Sequence, residues 1–124
     1  INLTDSEDQI INKIKKAKTD PLPMPNNVKD LEGRLEAQNL LGIFASLNNS
    51  TLESSTEKFA GKNFSEFKEE LSVLLVNKIM PISGEIKKLL KDQSYLDSIL
   101  LDGVEKANKI ASKKIKIIKE IIGF

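Results

Sequence analysis

Between Asn63 and Leu90 the apolar residues fall at Phe64, Phe67, Leu71, Leu74, Leu75, Ile79, Ile82, Ile86 and Leu89 or Leu90. Steps of three and four place them along one side of a helix. A stripe of this length needs partners, which the rest of the chain has to supply. Asn63 can accept from the amide three residues on while Glu66 reaches back, a variant of the capping box. Pro81 falls inside the pattern, where the missing N–H and the clash with the carbonyl four residues earlier cost about 3 kcal/mol. The stripe stays in phase beyond it. The pattern therefore predicts one helix kinked at Pro81, with two helices hinged at 81–84 as the alternative.

Helical patterning covers most of the remaining chain. Thr4 followed by Glu7 marks a helix start. Ile10, Ile11, Ile14 and Ala17 line one face of that helix, and lysines toward its end complement the dipole up to a stop near Lys18. Residues 19–30 carry Pro21, Pro23 and Pro25 and are expected to be an extended connector, with Leu22 and Met24 packed on the body. Leu35, Ala37, Leu40, Leu41, Phe44 and Leu47 define a second helix. A capping box at Ser50 to Glu53 opens a short third helix, which carries Leu52 and Phe59 and is closed by Gly61. After the central stripe, Ser94 is a fitting cap for a helix through Leu100. Asp102-Gly103 interrupts, and Asp102 caps a last helix whose buried stripe is Val104, Ala107, Ala111, Ile115, Ile118 and Ile122. No stretch alternates cleanly enough for a strand. The fold class expected is all-α, a bundle of five or six helices.

Composition narrows the chemistry. The 124 residues include neither Cys nor His, which removes disulfides, thiolate metal sites, the usual zinc ligand and every Ser-His or Cys-His nucleophile. The six glycines are scattered singly, so there is no phosphate-cradling loop. Carboxylate pairs such as Glu69-Glu70 read as helix surface, and no catalytic or metal-binding residue is assigned. No stretch approaches ~20 apolar residues, so no transmembrane helix is expected, and no secretory signal is visible. The chain begins at Ile1 without an initiating Met, in mid-pattern, which reads as a piece of a longer cytoplasmic protein.

Net charge is only +1, but it is unevenly placed. From Gly103 to the end, six lysines stand against Glu105 and Glu120, a local balance of +4. Lys106, Lys109, Lys113 and Lys116 are spaced three, four and three, a basic ladder about 15 Å long at ~1.5 Å per residue. Such a ladder can follow a phosphate backbone, and lysine is suited to positioning rather than to reading bases. A solvated face opposite an isoleucine core has the same spacing. The cationic, Ile-rich tail also suits a helix lying on an anionic membrane surface.

Four segments, in order, carry a resemblance to a known family. They are INLTDSEDQIINKIKKAKTD at Ile1 to Asp20, NLLGIFASL at Asn39 to Leu47, GKNFSEFKEELSVLLVNKIMPI at Gly61 to Ile82, and SYLDSILLDGVEKANKIASKK at Ser94 to Lys114. Together they resemble the C-terminal part of bacterial-type tryptophan–tRNA ligase, a class I aminoacyl-tRNA synthetase. The family often has Tyr-Gly where this chain has Phe64-Ser65, and Ala where it has Val104. The catalytic motifs of the family, of His-Ile-Gly-His and Lys-Met-Ser-Lys-Ser type, are absent here.

The resemblance implies that residues 1–20 are a linking helix from the catalytic domain and that residues 21–124 are a helical anticodon-binding domain. The parent enzyme would activate tryptophan with ATP and Mg²⁺, charge tryptophan tRNA, and work as a cytoplasmic homodimer with its main contacts in the catalytic domain. This portion would hold no cofactor and would be inactive alone. Lys106, Lys109, Lys113 and Lys116 then become candidate phosphate contacts. Tyr95 is a candidate stacking residue, and Arg34, Asn77 and Asn108 are candidate readers of base edges. The reading from another class is a free-standing helical module that binds a protein or an anionic membrane surface.

Overall fold

The computed structural model describes residues 1–123. Among them there is no strand. The elements are α1 (Glu7–Lys15), α2 (Leu35–Leu47), α3 (Leu52–Lys58), α4 (Phe64–Lys91) and α5 (Gln93–Ile122), with a 3-10 turn at Val28–Leu31. The class is all-α, as the patterning implied. The chain divides into two compact units, Ile1–Gly84 and Glu85–Phe124.

In the first unit, three phenylalanines from three places in the sequence meet. Phe44 of α2 and Phe67 of α4 flank Phe59, which closes α3. Ring centroids lie 4.9 Å apart for Phe44–Phe59 and 4.8 Å for Phe59–Phe67, both edge to face. That geometry sets a positive ring edge against a negative face and adds to what burial alone contributes. Around them close Ile10 and Ile14 of α1, Met24 of the connector, Leu40 and Leu41 of α2, and Leu71, Leu75 and Ile79 of α4. Helix α1 thus contributes to the core of the first unit.

The connector is held by polar contacts. Met24 N–H donates to the Lys62 carbonyl at 2.8 Å, and Gly61 N–H donates to the Met24 carbonyl at 3.2 Å. These bonds satisfy backbone groups that burial of Met24 would otherwise strand. Gly61 makes the turn at φ +70°, a backbone that favours glycine. Leu22, expected to pack on the body, is exposed, whereas Met24 is buried as expected. Lys68 of α4 donates to the carbonyls of Ala17 at 2.7 Å and Lys15 at 3.3 Å. It thereby satisfies acceptors freed at the end of α1.

Helix boundaries correct several expectations. The cap of α1 is Ser6, which exchanges bonds with Gln9, while Asp5 turns aside to bind Lys13. The helix ends at Lys15, before Lys18. Thr51, not Ser50, caps α3 by accepting from Ser54 N–H. Ser50 instead meets Ser55 side chain to side chain at 2.9 Å. Asn63 accepts from Glu66 N–H, but Glu66 returns to the Asn63 side-chain amide.

Helix α4 runs as one element through Pro81. The buried stripe ends at Ile79, with Ser83 enclosed a turn later, while Ile82, Leu89 and Leu90 are exposed. The Ser83 hydroxyl is buried and has no hydrogen-bond partner. Past Lys91 the structure differs from expectation in one large respect. No break occurs at Asp102-Gly103: α5 is a single 30-residue helix capped by Asp92, whose carboxylate accepts from Tyr95 N–H at 3.0 Å. Ser94 donates to that same carboxylate rather than capping. Asp102 pairs with Lys106 one turn on, at 2.6 Å, and so supports the helix through the glycine. The expected buried stripe of α5, from Val104 to Ile122, is also corrected: among the described residues α5 buries none.

Replacing Phe67 by Ala should lower the unfolding free energy by about 3–5 kcal/mol, whereas Ile118→Ala should stay within about 0.5 kcal/mol. Urea denaturation followed by circular dichroism checks both. A comparable loss at Ile118 would mean that α5 is packed within this chain.

Candidate nucleic-acid interface

Lys106, Lys109, Lys113 and Lys116 all lie on α5 and are exposed. At about 100° per residue they fall within about 80° of one another, so the ladder is a real face of the helix. The same face carries Asp102 and Glu105 before the ladder and Glu120 after it. The basic stretch is thus bounded by carboxylates at both ends, which the linear spacing did not bring out. Lys106 is tied to Asp102. Among the described residues Lys109, Lys113 and Lys116 have no ion-pair partner and present their ammonium groups to solvent. They offer a polyanion three point charges over about 10 Å, at ~1.5 Å per residue.

The other candidates are placed differently. Tyr95 is 48 % exposed on the ladder side of α5, but eleven residues before Lys106, roughly 16 Å along the axis. Asn108 is exposed, yet turned about 120° from the middle of the ladder. Arg34 lies in the first unit and is engaged. Its Nε donates to Asp20 Oδ2 at 3.0 Å, its Nη2 to Asp20 Oδ1 at 2.8 Å and to the Pro23 carbonyl at 2.8 Å. This fork-to-carboxylate pairing binds the connector to the start of α2 and engages Nε and Nη2 of the guanidinium.

Sequence spacing also missed a cluster in the first unit. A shallow groove of about 380 Å³ is lined by Phe44, Asn48, Lys58, Glu70, Val73 and Asn77, among others. Lys58 Nζ sits 4.9 Å from the ring centres of both Phe44 and Phe59 and pairs with Glu70 at 2.6 Å. The Lys58 ammonium holds the Glu70 carboxyl below its ordinary value, with Lys62 adding to it. Three helices assemble this groove, so no local motif announces it. Among the described residues no group of three or more acidic, Cys or His side chains could hold a metal ion.

Fold and surface together define a class: an all-helical module with an exposed cationic face. No family model matches the chain. Relatives do, along its whole length. It is 46 % identical to the tryptophan–tRNA ligase of Agrobacterium fabrum over 124 residues, which is 100 % of this chain and 35 % of the relative. It is 44 % identical to that of Brucella melitensis, with the same coverage, and 41 % identical to that of Rickettsia felis, over 37 % of its length. The chain is thus similar along its whole length to tryptophan–tRNA ligases, and it spans about a third of the length of the curated relatives it matches.

Arg34→Ala should destabilise the chain by about 1–3 kcal/mol through loss of charged hydrogen bonds. Any effect on RNA binding should disappear under conditions where the variant is fully folded. Binding lost from a fully folded variant would make Arg34 a contact residue instead.

Carboxylates give a pH dependence. Arg34 holds Asp20 below the usual carboxylate range, and Lys13 with the Asn2 amide does the same for Asp5. Folded values below unfolded ones mean that the unfolded chain takes up protons first as pH falls. The stability is fully present above the unfolded carboxylate value of about 4 and is lost as pH drops toward the folded values. Equilibrium unfolding between pH 7 and 3 checks this, and the double variant D5N/D20N should flatten the slope.

Proposed function

We propose that this chain is the tRNA-binding, anticodon-arm portion of a tryptophan–tRNA ligase. The observation that carries the reading is the match over the whole chain to tryptophan–tRNA ligases at 40–46 % identity. The exposed ladder on α5 supports it. In this reading Lys109, Lys113 and Lys116 lie along the phosphates of the anticodon arm, with Lys106 at the edge and partly neutralised by Asp102. Tyr95 extends the same face toward an unstacked base, and Asn108 marks the flank. Residues 1–20 link this body to the catalytic domain, with α1 fixed to α4 by Lys68. Activation of tryptophan with ATP and Mg²⁺, and pairing into a homodimer, belong to the rest of the enzyme. Among the described residues no group of acidic side chains could hold a metal ion. The module works where that enzyme works, in the cytoplasm. Among the described residues no helix is long and apolar enough to cross a membrane.

Isolated chain should bind tryptophan tRNA more tightly than an unrelated tRNA in filter-binding or fluorescence titrations. Its log K should fall with log salt at about 0.7–0.9 per phosphate contacted, and K109E/K113E should reduce that slope by roughly 1.4–1.8. Equal affinity for both tRNAs and no effect of charge reversal would remove the ladder from the mechanism. The chain alone should show no tryptophan-dependent ATP–pyrophosphate exchange.

A further inference from the structure

Helix α4 carries three weak points between Pro81 and Gly84. Pro81 has no N–H, so the Asn77 carbonyl loses its donor one turn on, and the ring crowds that carbonyl. Gly84 has nothing within 4 Å of where a Cβ would stand. Packing therefore does not require a glycine there, and glycine is a poorer helix former than alanine. Between them lies Ser83, fully buried, whose hydroxyl has no hydrogen-bond partner. Three other helical hydroxyls of the first unit behave differently. Ser46, Thr56 and Ser72 each donate to the carbonyl four residues back, at 2.8, 2.7 and 2.7 Å. A buried hydroxyl left unpaired disfavours the conformation that leaves it so. Prolines and glycine–serine pairs are among the usual sites of sharp helix bends, and α4 has both here.

We propose that residues 81–84 are a hinge in α4, which exchanges between a straight state and a bent one, with the Ser83 hydroxyl as its latch. In the straight state the hydroxyl is enclosed and unpaired, as it is here. In the bent state it donates to the Ile79 carbonyl four residues back, the bond that Ser46, Thr56 and Ser72 already make in their own helices. Back-bonding of this kind bends helices. Each state thus lacks something the other has. The straight helix keeps its backbone ladder in register past Pro81, and the bent one satisfies the buried hydroxyl. Opposed terms of this sort make a two-state element rather than a fixed kink. Position supports the assignment. The packed stripe of α4 ends at Ile79, so bending beyond it leaves the phenylalanine cluster undisturbed. Ile82, Leu89 and Leu90 are exposed, so little apolar burial holds the last turns of α4 in line. The boundary between the two compact units also falls directly after Gly84. The hinge does not rest on the RNA reading.

Amide exchange followed residue by residue by NMR on the 124-residue chain tests this. Amides 82–85 should exchange at least about tenfold faster than those of 71–79, and faster than those of 87–89 beyond them. Fraying from the end of α4 would instead give rates that rise steadily toward Lys91, and that pattern would overturn the proposal. Pro81→Ala with Gly84→Ala restores the missing bond and should slow amides 82–85 to the rate of their neighbours. Gly84→Ala alone, which meets no clash, should act in the same direction and serves if the double variant does not fold. Ser83→Ala removes the latch and should slow the same amides by at least about threefold, because the bent state loses its bond. Unchanged or faster exchange in that variant would overturn the latch and with it the two-state hinge. N–H dipolar couplings read the bend itself. Segments 64–79 and 85–91 should each fit a helix, and should fit one straight helix together only in Pro81→Ala with Gly84→Ala or in Gly84→Ala. A single straight helix in the unmodified chain would sink the hinge.

Discussion

The first unit depends on one requirement: Phe59, at the end of a seven-residue helix, must be enclosed on both sides. A helix that short has little stability of its own in water. Phe44 and Phe67 enclose the ring edge to face, and this fixes α3 between α2 and α4. Once α4 is held there, its stripe through Leu71, Leu75 and Ile79 has to be covered, and the burial of Ile10 and Ile14 shows how α1 takes part in that core. Removing Phe59 takes the edge-to-face partner from both other rings, whereas removing Phe44 or Phe67 leaves one such pair standing.

Polar contacts then place what apolar burial leaves free. Three prolines keep residues 20–26 out of a helix, so their backbone groups need partners elsewhere. The exchange between Met24 and the Gly61–Lys62 backbone supplies two, and Arg34 gathers Asp20 and the Pro23 carbonyl with one guanidinium. Lys68 does similar work at the end of α1. The Arg34 and Lys68 bonds place charged donors on backbone or carboxylate acceptors, and charge-assisted bonds contribute more than exposed ion pairs do. The surface pairs Lys88–Glu85 and Lys106–Asp102 contribute little beyond local helix support.

Helix α5 carries the functional question. It separates a cationic face from an apolar one on a single rod. An ammonium group needs water or an anion around it, while an isoleucine strip gains only by leaving water. The charge distribution sharpens this, since Asp102 and Glu105 at one end and Glu120 at the other confine the positive stretch to Lys109–Lys116. Net charge of the whole chain, +1, conceals this polarity completely.

Local sequence determined the helical class, the identity of α4 and its cap at Asn63, because periodicity and capping act within a few residues. It also determined the ladder, since any helix through Lys106 to Lys116 puts those side chains on one side. The continuity of α5 did not follow from local signals. Gly103 costs about 1 kcal/mol against Ala in a helix, a penalty that neighbouring turns outweigh. Likewise, period alone could not tell Leu35, which is exposed, from Leu40, which is buried, and it read the stripe of α5 as core. Only the tertiary arrangement decided that Arg34 clamps Asp20 and that Phe44, Phe59 and Phe67 meet, because those residues are distant in the chain. Amphipathicity marks a face that gains by being covered; which surface covers it is a property of the folded molecule.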